Sequence, residues 1–245
     1  MIRFRDTDDP RRRLLIQALA LGLFSLGLPG GRALAADLFG RRPSRLPAGQ
    51  SIYRLTGTAT INGQPATMQT RIGPTDTVET GKGAELVFAV GENAFILRES
   101  SRVALETGQK DSALITGLRL LTGKLLSVFP RGRPPLQAFT LTSTVGIRGT
   151  GFYMETDPEQ TYFCTCYGVT EVAANNDPQS KVTVTAYQHD RPLYILAKAA
   201  PGQSIREAPF INHTDQELQL IEALVGRVPP FVYPKEDYRA PRRDY

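Results

Sequence analysis

The side chains with the most distinctive chemistry in this 245-residue chain are two cysteines and two histidines, and the chain contains no others of either type. Cys164 and Cys166 are two residues apart in an aromatic and β-branched segment that is typical of a strand. Alternate residues of a strand point to the same face, so the two sulfurs should be near neighbours. His189 and His213 follow further along the chain. Thiolate and imidazole are ligands that zinc takes from proteins, so metal binding is one chemistry that these residues offer.

Three interpretations of the cysteine pair are open at this point. The sulfurs can be inert thiols in the core, because free cysteine is among the most buried residue types. They can form a disulfide, either with each other, which requires strained geometry, or with another molecule, which an oxidising compartment would favour. They can also hold a metal or a haem together with His189, His213 or both.

The spacing of these four residues does not match ordinary cofactor motifs. Two cysteines separated by one residue differ from the cysteine pairs of structural zinc sites, and neither histidine lies in a ligand-spaced motif. His213 directly precedes a predicted helix start, and His189 falls in a predicted turn between strands. We therefore predict no cofactor, with a metal or haem site at Cys164, Cys166, His189 and His213 as the alternative.

A glycine-rich hexapeptide carries a single guanidinium between two runs of alternating apolar residues. Its residues include Gly146, Arg148, Gly149, Thr150 and Gly151. Glycine permits backbone angles that are closed to other residues, so the pattern predicts a tight, ordered arch between two strands. No helix follows to supply free amides, which argues against a phosphate-binding loop. Arg148 is expected either to satisfy buried carbonyl groups or to face an anionic ligand.

Motifs of the common hydrolases are missing from the sequence. No serine stands in a Gly-x-Ser-x-Gly elbow, and no pair of histidines has the spacing of a zinc protease. The sequence therefore predicts a protein that is not an enzyme.

The N-terminal residues have the layout of an export signal. Arg11 to Arg13 precede the apolar run Leu14 to Leu28, and small residues follow around Ala35. The apolar run is shorter than the roughly 20 residues that a membrane span needs. We predict a leader over residues 1–36 that is cleaved near Ala35, a periplasmic mature protein without a stable membrane span, and a linker over residues 37–50. The adjacent arginines also resemble a twin-arginine signal, which exports folded proteins.

The charge of the mature protein argues against a nucleic-acid partner. The whole chain has 29 basic and 24 acidic residues, and removal of residues 1–36 leaves 23 basic and 21 acidic ones. The sequence pI of about 9.3 therefore reflects the leader to a large extent. A nearly neutral protein lacks the basic surface that nucleic-acid binding requires.

Short alternating or apolar runs separated by turn residues occupy most of the chain and predict an all-β domain over residues 51–175. The predicted runs are Leu55 to Ile61, Met68 to Ile72, Ala84 to Val90, Phe95 to Arg98, Val103 to Glu106, Leu114 to Leu121, Lys124 to Phe129, Phe139 to Ser143, Phe152 to Thr156 and Thr161 to Val172. Thr122-Gly123 is one of the predicted turns between them.

Residues 176–245 are predicted to form a C-terminal extension. Val182 to Tyr187 and Leu193 to Ala197 have the pattern of two more strands. Thr214 and Glu217 form a capping box, and apolar residues at helical spacing follow as far as Gly226. We predict one helix over about residues 215–225, packed through its apolar face on the β domain, and a tail rich in proline and tyrosine.

Several of these segments resemble the successive strands of the FecR domain. The resemblance spans roughly residues 75–173, and its most specific element is Gly-x-Arg-Gly-Thr-x-Phe at residues 146–152. It also includes Gly83 to Phe88, Ser101 to Leu105, Leu118 to Leu121 with Gly123 to Leu125, and Thr161 to Val172. FecR domains occur in bacterial envelope proteins, including regulators of iron-siderophore uptake. The resemblance implies short strands that form a β-solenoid or a flattened β-sandwich.

The uptake regulators also carry a cytoplasmic segment that holds a sigma factor, followed by a retained membrane helix. Only 13 residues precede the apolar run here, so we expect no anti-sigma role. The predicted function is that of an exported, non-enzymatic sensor, scaffold or accessory protein that binds an envelope protein, a glycan or a small ligand. The alternative is a periplasmic metal, haem or redox protein that uses Cys164 and Cys166.

Overall fold

The computed structural model describes residues 43–108, 114–132 and 135–231. These ranges belong to the second of two compact units, Arg42–Tyr245. The first unit, Met1–Arg41, contains the predicted leader and lies outside the described residues. Residues 37–42 of the predicted linker and the tail after residue 231 also lie outside them. Residues 43–50 contain no strand or helix, and the backbone N–H of Leu46 donates to Leu224.

Fourteen strands and one helix form within the described ranges, so the all-β prediction with one C-terminal helix is confirmed. They are β1 (Ile52–Thr56), β2 (Ala59–Ile61), β3 (Gln64–Pro65), β4 (Thr77–Thr80), β5 (Glu85–Val90), β6 (Asn93–Leu97), β7 (Arg102–Thr107), β8 (Ile115–Val128), β9 (Leu136–Phe139), β10 (Ser143–Thr156), β11 (Gln160–Ala174), β12 (Asp177–Ala186), β13 (Leu193–Leu196), β14 (Ile205–Glu207) and α1 (Asp215–Leu224). In this part of the chain, no helix is long and apolar enough to cross a membrane.

The strands belong to one sheet that is antiparallel except for the β8–β9 pair. Its main path runs β14-β13-β11-β10-β9-β8-β7-β4-β2-β3, while β12 pairs with β11, and β6, β5 and β1 branch from β8 in that order. Strands β12, β13 and β14 continue the same sheet, so the described part of the C-terminal extension packs with the β domain.

Two strands are much longer than the sequence predicted, because glycines that were interpreted as a turn or an arch lie inside them. β8 and β10 have 14 residues each. β11 has 15 residues and extends the predicted run Thr161 to Val172 by only three. The predicted turn at Thr122-Gly123 is wrong, since β8 continues through it. Gly123 has φ +88°, and a Cβ there would lie 2.0 Å from Ser101 Oγ. The glycine allows β7 and β8 to approach closely, which only the folded structure reveals.

The predicted arch at residues 146–151 is also corrected, because β10 runs straight through it. The pairing with β11 shifts register between Arg148 and Gly151, which marks a β-bulge. Before the bulge β10 pairs with β9, and after it with β8. Gly149 has φ +57°, and a Cβ there would lie 2.6 Å from Arg131 Cα. The hexapeptide is thus the place where one strand changes partner.

Smaller differences concern the short runs. The predicted strand Met68 to Ile72 is not formed, and the predicted strand Phe139 to Ser143 is replaced by the turn between β9 and β10. Strands β3, β4 and β14 were not predicted. Leu55 to Ile61 is divided between β1 and β2 at Gly57, where φ is +71°.

Both faces of the central strands are buried, which explains why all six residues of β5 are buried. One face contributes to an inner core that includes stacked rings of Phe88 and Phe95, and of Phe152 and Phe163. The other face is covered by α1. We call this second cluster the helix-side core; it contains Val87, Ile96, Leu126, Tyr153, Tyr162, Cys164, Cys166, Leu218 and Ile221 among others.

Helix α1 begins where the sequence predicted and ends one residue earlier. The Thr214 side chain accepts a hydrogen bond from the backbone N–H of Glu217, and the Glu217 side chain accepts one from Thr214. Leu218 and Ile221 are fully buried against the sheet, so the predicted packing of the apolar face is confirmed. This docking carries the residues that precede the helix to the surface of β11.

Candidate metal centre

All the cysteines and histidines of the chain meet at one place in the helix-side core. One ligand atom from each of Cys164, Cys166, His189 and His213 lies within 4.8 Å of the others. The four residues come from three separate segments: strand β11, the turn between β12 and β13, and the residues that lead into α1. The structure therefore brings together the four residues that the sequence offered as an alternative metal site.

Strand β11 places the two sulfurs side by side. Gly151 pairs with Tyr167 and Phe152 pairs with Thr165, so Cys166 has no register partner and forms a bulge. Cys164 and Cys166 both face the helix-side core, as the strand alternation predicted. Both are free thiols and both are 0% exposed. A bond to another molecule would require these sulfurs to leave the core.

The turn between β12 and β13 carries His189, as predicted. Its backbone N–H donates to the carbonyl of Cys166 at 2.9 Å, which fixes the turn against β11. His189 has φ +53°, in the left-handed region where histidine is more common than most residues. The ring Nε2 donates to Asp215 Oδ1 at 2.8 Å, and Nδ1 lies 3.7 Å from Cys164 Sγ.

His213 lies one residue before the N-cap of α1, also as predicted. Its Nδ1 donates to the carbonyl of Ile211 at 2.7 Å. Its ring stacks on Tyr153, with 4.5 Å between centroids and 20° between planes. The remaining nitrogen, Nε2, points to His189 Nδ1 at 3.0 Å.

The outer hydrogen bonds assign the tautomer of both rings. The carbonyl of Ile211 can only accept, so His213 carries a proton on Nδ1; the Asp215 carboxylate likewise places a proton on His189 Nε2. In neutral rings the two inward nitrogens, His213 Nε2 and His189 Nδ1, then both present lone pairs 3.0 Å apart. Two lone pairs at this distance repel each other unless a proton or a cation lies between them.

The distances suit a tetrahedral ion. Zinc–sulfur bonds of about 2.3 Å and zinc–nitrogen bonds of about 2.0 Å at tetrahedral angles separate two nitrogens by about 3.3 Å and a sulfur from a nitrogen by about 3.5 Å. The corresponding separations here are 3.0 Å and 3.7 Å, and all four ligand atoms lie within 4.8 Å of one another. Four donors this close could surround one small ion after a small adjustment, whereas a haem iron takes protein ligands only at its axial positions.

The side chains of this cluster change one another's pKa values. The hydrogen bond with Cys166, together with those from His189 and His213, lowers the pKa of Cys164 to about 4 against the opposing effect of burial. Burial raises the pKa of Cys166 well above its usual value. Burial also lowers the pKa of His189, but the hydrogen bonds to Asp215 and Cys164 outweigh it and raise this pKa to about 9. These directions favour a Cys164 thiolate beside a protonated His189 ring when no cation is bound.

Cys164, His189 and Asp215 also have the order of a thiol nucleophile, a base and an orienting carboxylate. The Cys164 side chain is 0% exposed, however, and it lies beneath α1 and the residues that precede it. A substrate would have to displace these residues to reach the sulfur. The geometry is better suited to holding a small ion.

Three residues around the cluster were not singled out from the sequence. Asp215 resembled an ordinary acidic residue in the first turn of a helix, and Tyr153 resembled an ordinary strand residue. Phe210 is half exposed and its ring lies 4.5 Å from His189 and 4.6 Å from His213, so it covers the histidines. Only the docking of α1 reveals these roles.

The glycine-rich hexapeptide supports β11 rather than forming part of the cluster. Thr150 is buried and its hydroxyl donates to the carbonyl of Tyr167. A Cβ on Gly151 would lie 2.5 Å from Tyr167 Cε1, so glycine is required for this ring to pack. Arg148 satisfies no buried carbonyl; its side chain is 63% exposed and pairs with Glu171 at 2.8 Å.

Replacing Arg148 by alanine should lower the free energy of unfolding by less than about 1 kcal/mol, because exposed ion pairs contribute little. Urea denaturation of the Arg148→Ala and Glu171→Ala variants measures this, and both should behave alike. A loss of more than about 2 kcal/mol for Arg148→Ala alone would show that the guanidinium has a structural role beyond the surface pair.

Comparison with known proteins gives limited information. No protein-family model and no curated protein matches the chain. Two crystal structures of a protein from Parabacteroides distasonis ATCC 8503, described as a "putative anti-sigma factor", are similar to it with a TM-score of 0.42 and 12% sequence identity in each case. The matched region covers 54% of this chain and 58% of that one. The likeness is therefore partial, and it carries no argument about function.

Proposed function

We propose that this protein is an exported, non-enzymatic protein with a FecR-like β domain, and that it binds one zinc ion through Cys164 and Cys166 of that domain and His189 and His213 of the C-terminal extension. The observation that carries the proposal is the convergence of two imidazole lone pairs and two sulfurs, with the outer nitrogen of each ring held by an acceptor. Histidine ligands of metals are oriented in this way in proteins generally.

The donor set favours zinc over other common ions. Two sulfurs and two imidazoles match the tetrahedral sites of zinc, whereas calcium and magnesium require oxygen ligands. Four protein ligands leave no open position for a water or a substrate, which is typical of structural zinc sites. The ion would link β11, the β12–β13 turn and the start of α1, so its main effect would be on stability and on the position of α1.

Export and membership of the FecR family are supported by the sequence. The leader pattern supports a periplasmic location, and the Gly-x-Arg-Gly-Thr-x-Phe element supports the family. A twin-arginine leader would allow the ion to be bound in the cytoplasm, where thiols stay reduced, before the folded protein is exported.

Binding of a further ligand, as a sensor or accessory protein would require, is supported by a cavity of about 530 Å³ beside the cluster. Arg98, Glu99 and Lys124 line it together with Tyr153 and Asn212. The size suits a small molecule. Tyr153 stacks on His213, so a ligand in the cavity would lie one side chain away from the ion.

The test is a competition titration of the full chain, produced with its own leader, against a chromophoric zinc chelator. We expect one zinc per chain in protein recovered from the periplasm, and an affinity at least about 100-fold lower in His213→Asn, since loss of a ligand should cost no less than loss of an outer partner. Thr165→Ser, a conservative change on β11, should bind as the wild type does. Protein that takes up no zinc would contradict the proposal.

A further inference from the structure

We infer that Asp215 is a positioning residue that sets the metal affinity of this centre, an inference that rests on the proposed zinc binding. Asp215 is too distant from the ion position to be a ligand itself, because His189 lies between them. Its Oδ1 accepts the hydrogen bond from His189 Nε2 at 2.8 Å, and its Oδ2 accepts one from Gln188 Nε2 at 2.7 Å.

The carboxylate determines which nitrogen of His189 is available to an ion. A neutral imidazole carries one proton, and the hydrogen bond to Asp215 keeps that proton on Nε2. With the proton on Nδ1 instead, the ring would present an N–H group to the other three donors and could not coordinate. The negative charge also increases the electron-donating strength of Nδ1.

The two histidines differ in the group that accepts the hydrogen bond from the outer ring nitrogen. The effect of Asp215 on His189 can therefore be tested without changing His213. His213 donates to a backbone carbonyl, which no side-chain substitution removes. His189 donates to a carboxylate that is 17% exposed, while its own side chain is 10% exposed. Partial burial strengthens this interaction relative to one in water.

Helix α1 fixes the place of the carboxylate. Asp215 is the first residue of α1 and follows the N-cap Thr214, whose capping box holds the helix start in one conformation. A negative charge is stabilised at a helix N-terminus by the helix dipole. Because α1 is docked through Leu218 and Ile221, the position of Asp215 follows from the packing of the helix-side core.

The Asp215→Asn variant tests the inference, because asparagine keeps the shape and removes the charge. Its amide oxygen can still accept from His189, and the Gln188 amide can turn to accommodate the new NH2 group. We expect the zinc affinity to fall by about 10- to 100-fold, with the four ligands retained. The melting temperature of the metal-free protein should also fall, because the variant removes the carboxylate that pairs with His189 and that the helix N-terminus stabilises. The zinc affinity is therefore the deciding measurement, since a merely structural role would lower the melting temperature and leave the affinity unchanged.

Cobalt substitution and a charge-matched control complete the test. The Co²⁺ form of Asp215→Asn should keep tetrahedral ligand-field bands and a thiolate charge-transfer band, with shifted energies. Asp157→Asn, which removes a carboxylate from an exposed turn, should keep the wild-type affinity and spectrum. If the wild-type protein binds zinc and Asp215→Asn binds it equally well, the inference is wrong while zinc binding stands. If the wild-type protein itself takes up no zinc, both fail.

Discussion

The double variant Cys164→Ser/Cys166→Ser should bind no zinc and should lack the rise in melting temperature of about 8–16 °C that the wild-type protein shows when free zinc is about 1,000-fold above its dissociation constant. A ligand at this excess stabilises the native state by about 4 kcal/mol. For a chain of this size, 1 kcal/mol corresponds to about 2–4 °C. Differential scanning calorimetry with and without zinc measures the difference.

A chelator provides the internal control for this experiment. In excess EDTA the double serine variant should already melt below the wild-type protein, because serine matches cysteine in volume but buries a polar hydroxyl at each site. The quantity to compare is therefore the shift in melting temperature that zinc produces in each protein. Inert core thiols predict the opposite pattern: zinc would not change either melting temperature. A melting difference that is the same in zinc and in EDTA would likewise show that the sulfurs act through packing alone.

Loss of one partner of the buried Arg98–Glu217 ion pair should lower the free energy of unfolding by about 3–5 kcal/mol, because the other charge is left buried. The two side chains are 6% and 2% exposed, and Arg98 Nη2 lies 3.1 Å from Glu217 Oε2. The same nitrogen donates to the carbonyl of Asn212 at 2.5 Å. The pair therefore connects β6 to the start of α1, directly beside His213.

Urea denaturation of Glu217→Gln, Arg98→Met and the double variant measures the coupling. Glutamine still serves in a capping box, so Glu217→Gln isolates the charge from the helix cap. The double variant should be more stable than the sum of the single losses predicts, since neither charge remains. All measurements should be made in the presence of EDTA, so that zinc binding does not contribute to the free energy of unfolding. Single losses below about 1 kcal/mol would contradict a buried pair of this importance.

Local patterns in the sequence were sufficient to predict several elements of the site. Strand alternation placed both sulfurs on one face, and the capping box located the start of α1 to the residue. The turn that holds His189 was predicted from its position between two apolar runs. Each of these features depends on neighbours within a few residues, which a sequence pattern contains.

The meeting of the four residues could not be predicted in this way. His189 is 25 residues from Cys164, and His213 follows 24 residues after His189. Their convergence requires the β12–β13 turn to fold onto β11 and α1 to dock on the helix-side face of the sheet. The spacing rules for zinc motifs describe ligands on one local element, so they gave no signal here.

The errors at Gly123 and Gly149 have a common physical cause. Glycine in a sequence suggests a turn, because glycine readily adopts a positive φ. Here both glycines have a positive φ inside long strands, where Ser101 closely approaches Gly123 and Arg131 closely approaches Gly149. Sequence alone does not distinguish the two uses of glycine. The FecR resemblance predicted an all-β fold, which is confirmed, while membership of that family stays a prediction.

X-ray absorption at the zinc edge of the purified full chain tests the metal centre most directly. A Cys2His2 site predicts two sulfur scatterers at about 2.3 Å and two nitrogen scatterers at about 2.0 Å. Protein that contains no zinc after incubation with the ion, or a zinc shell made only of nitrogen and oxygen, would contradict it.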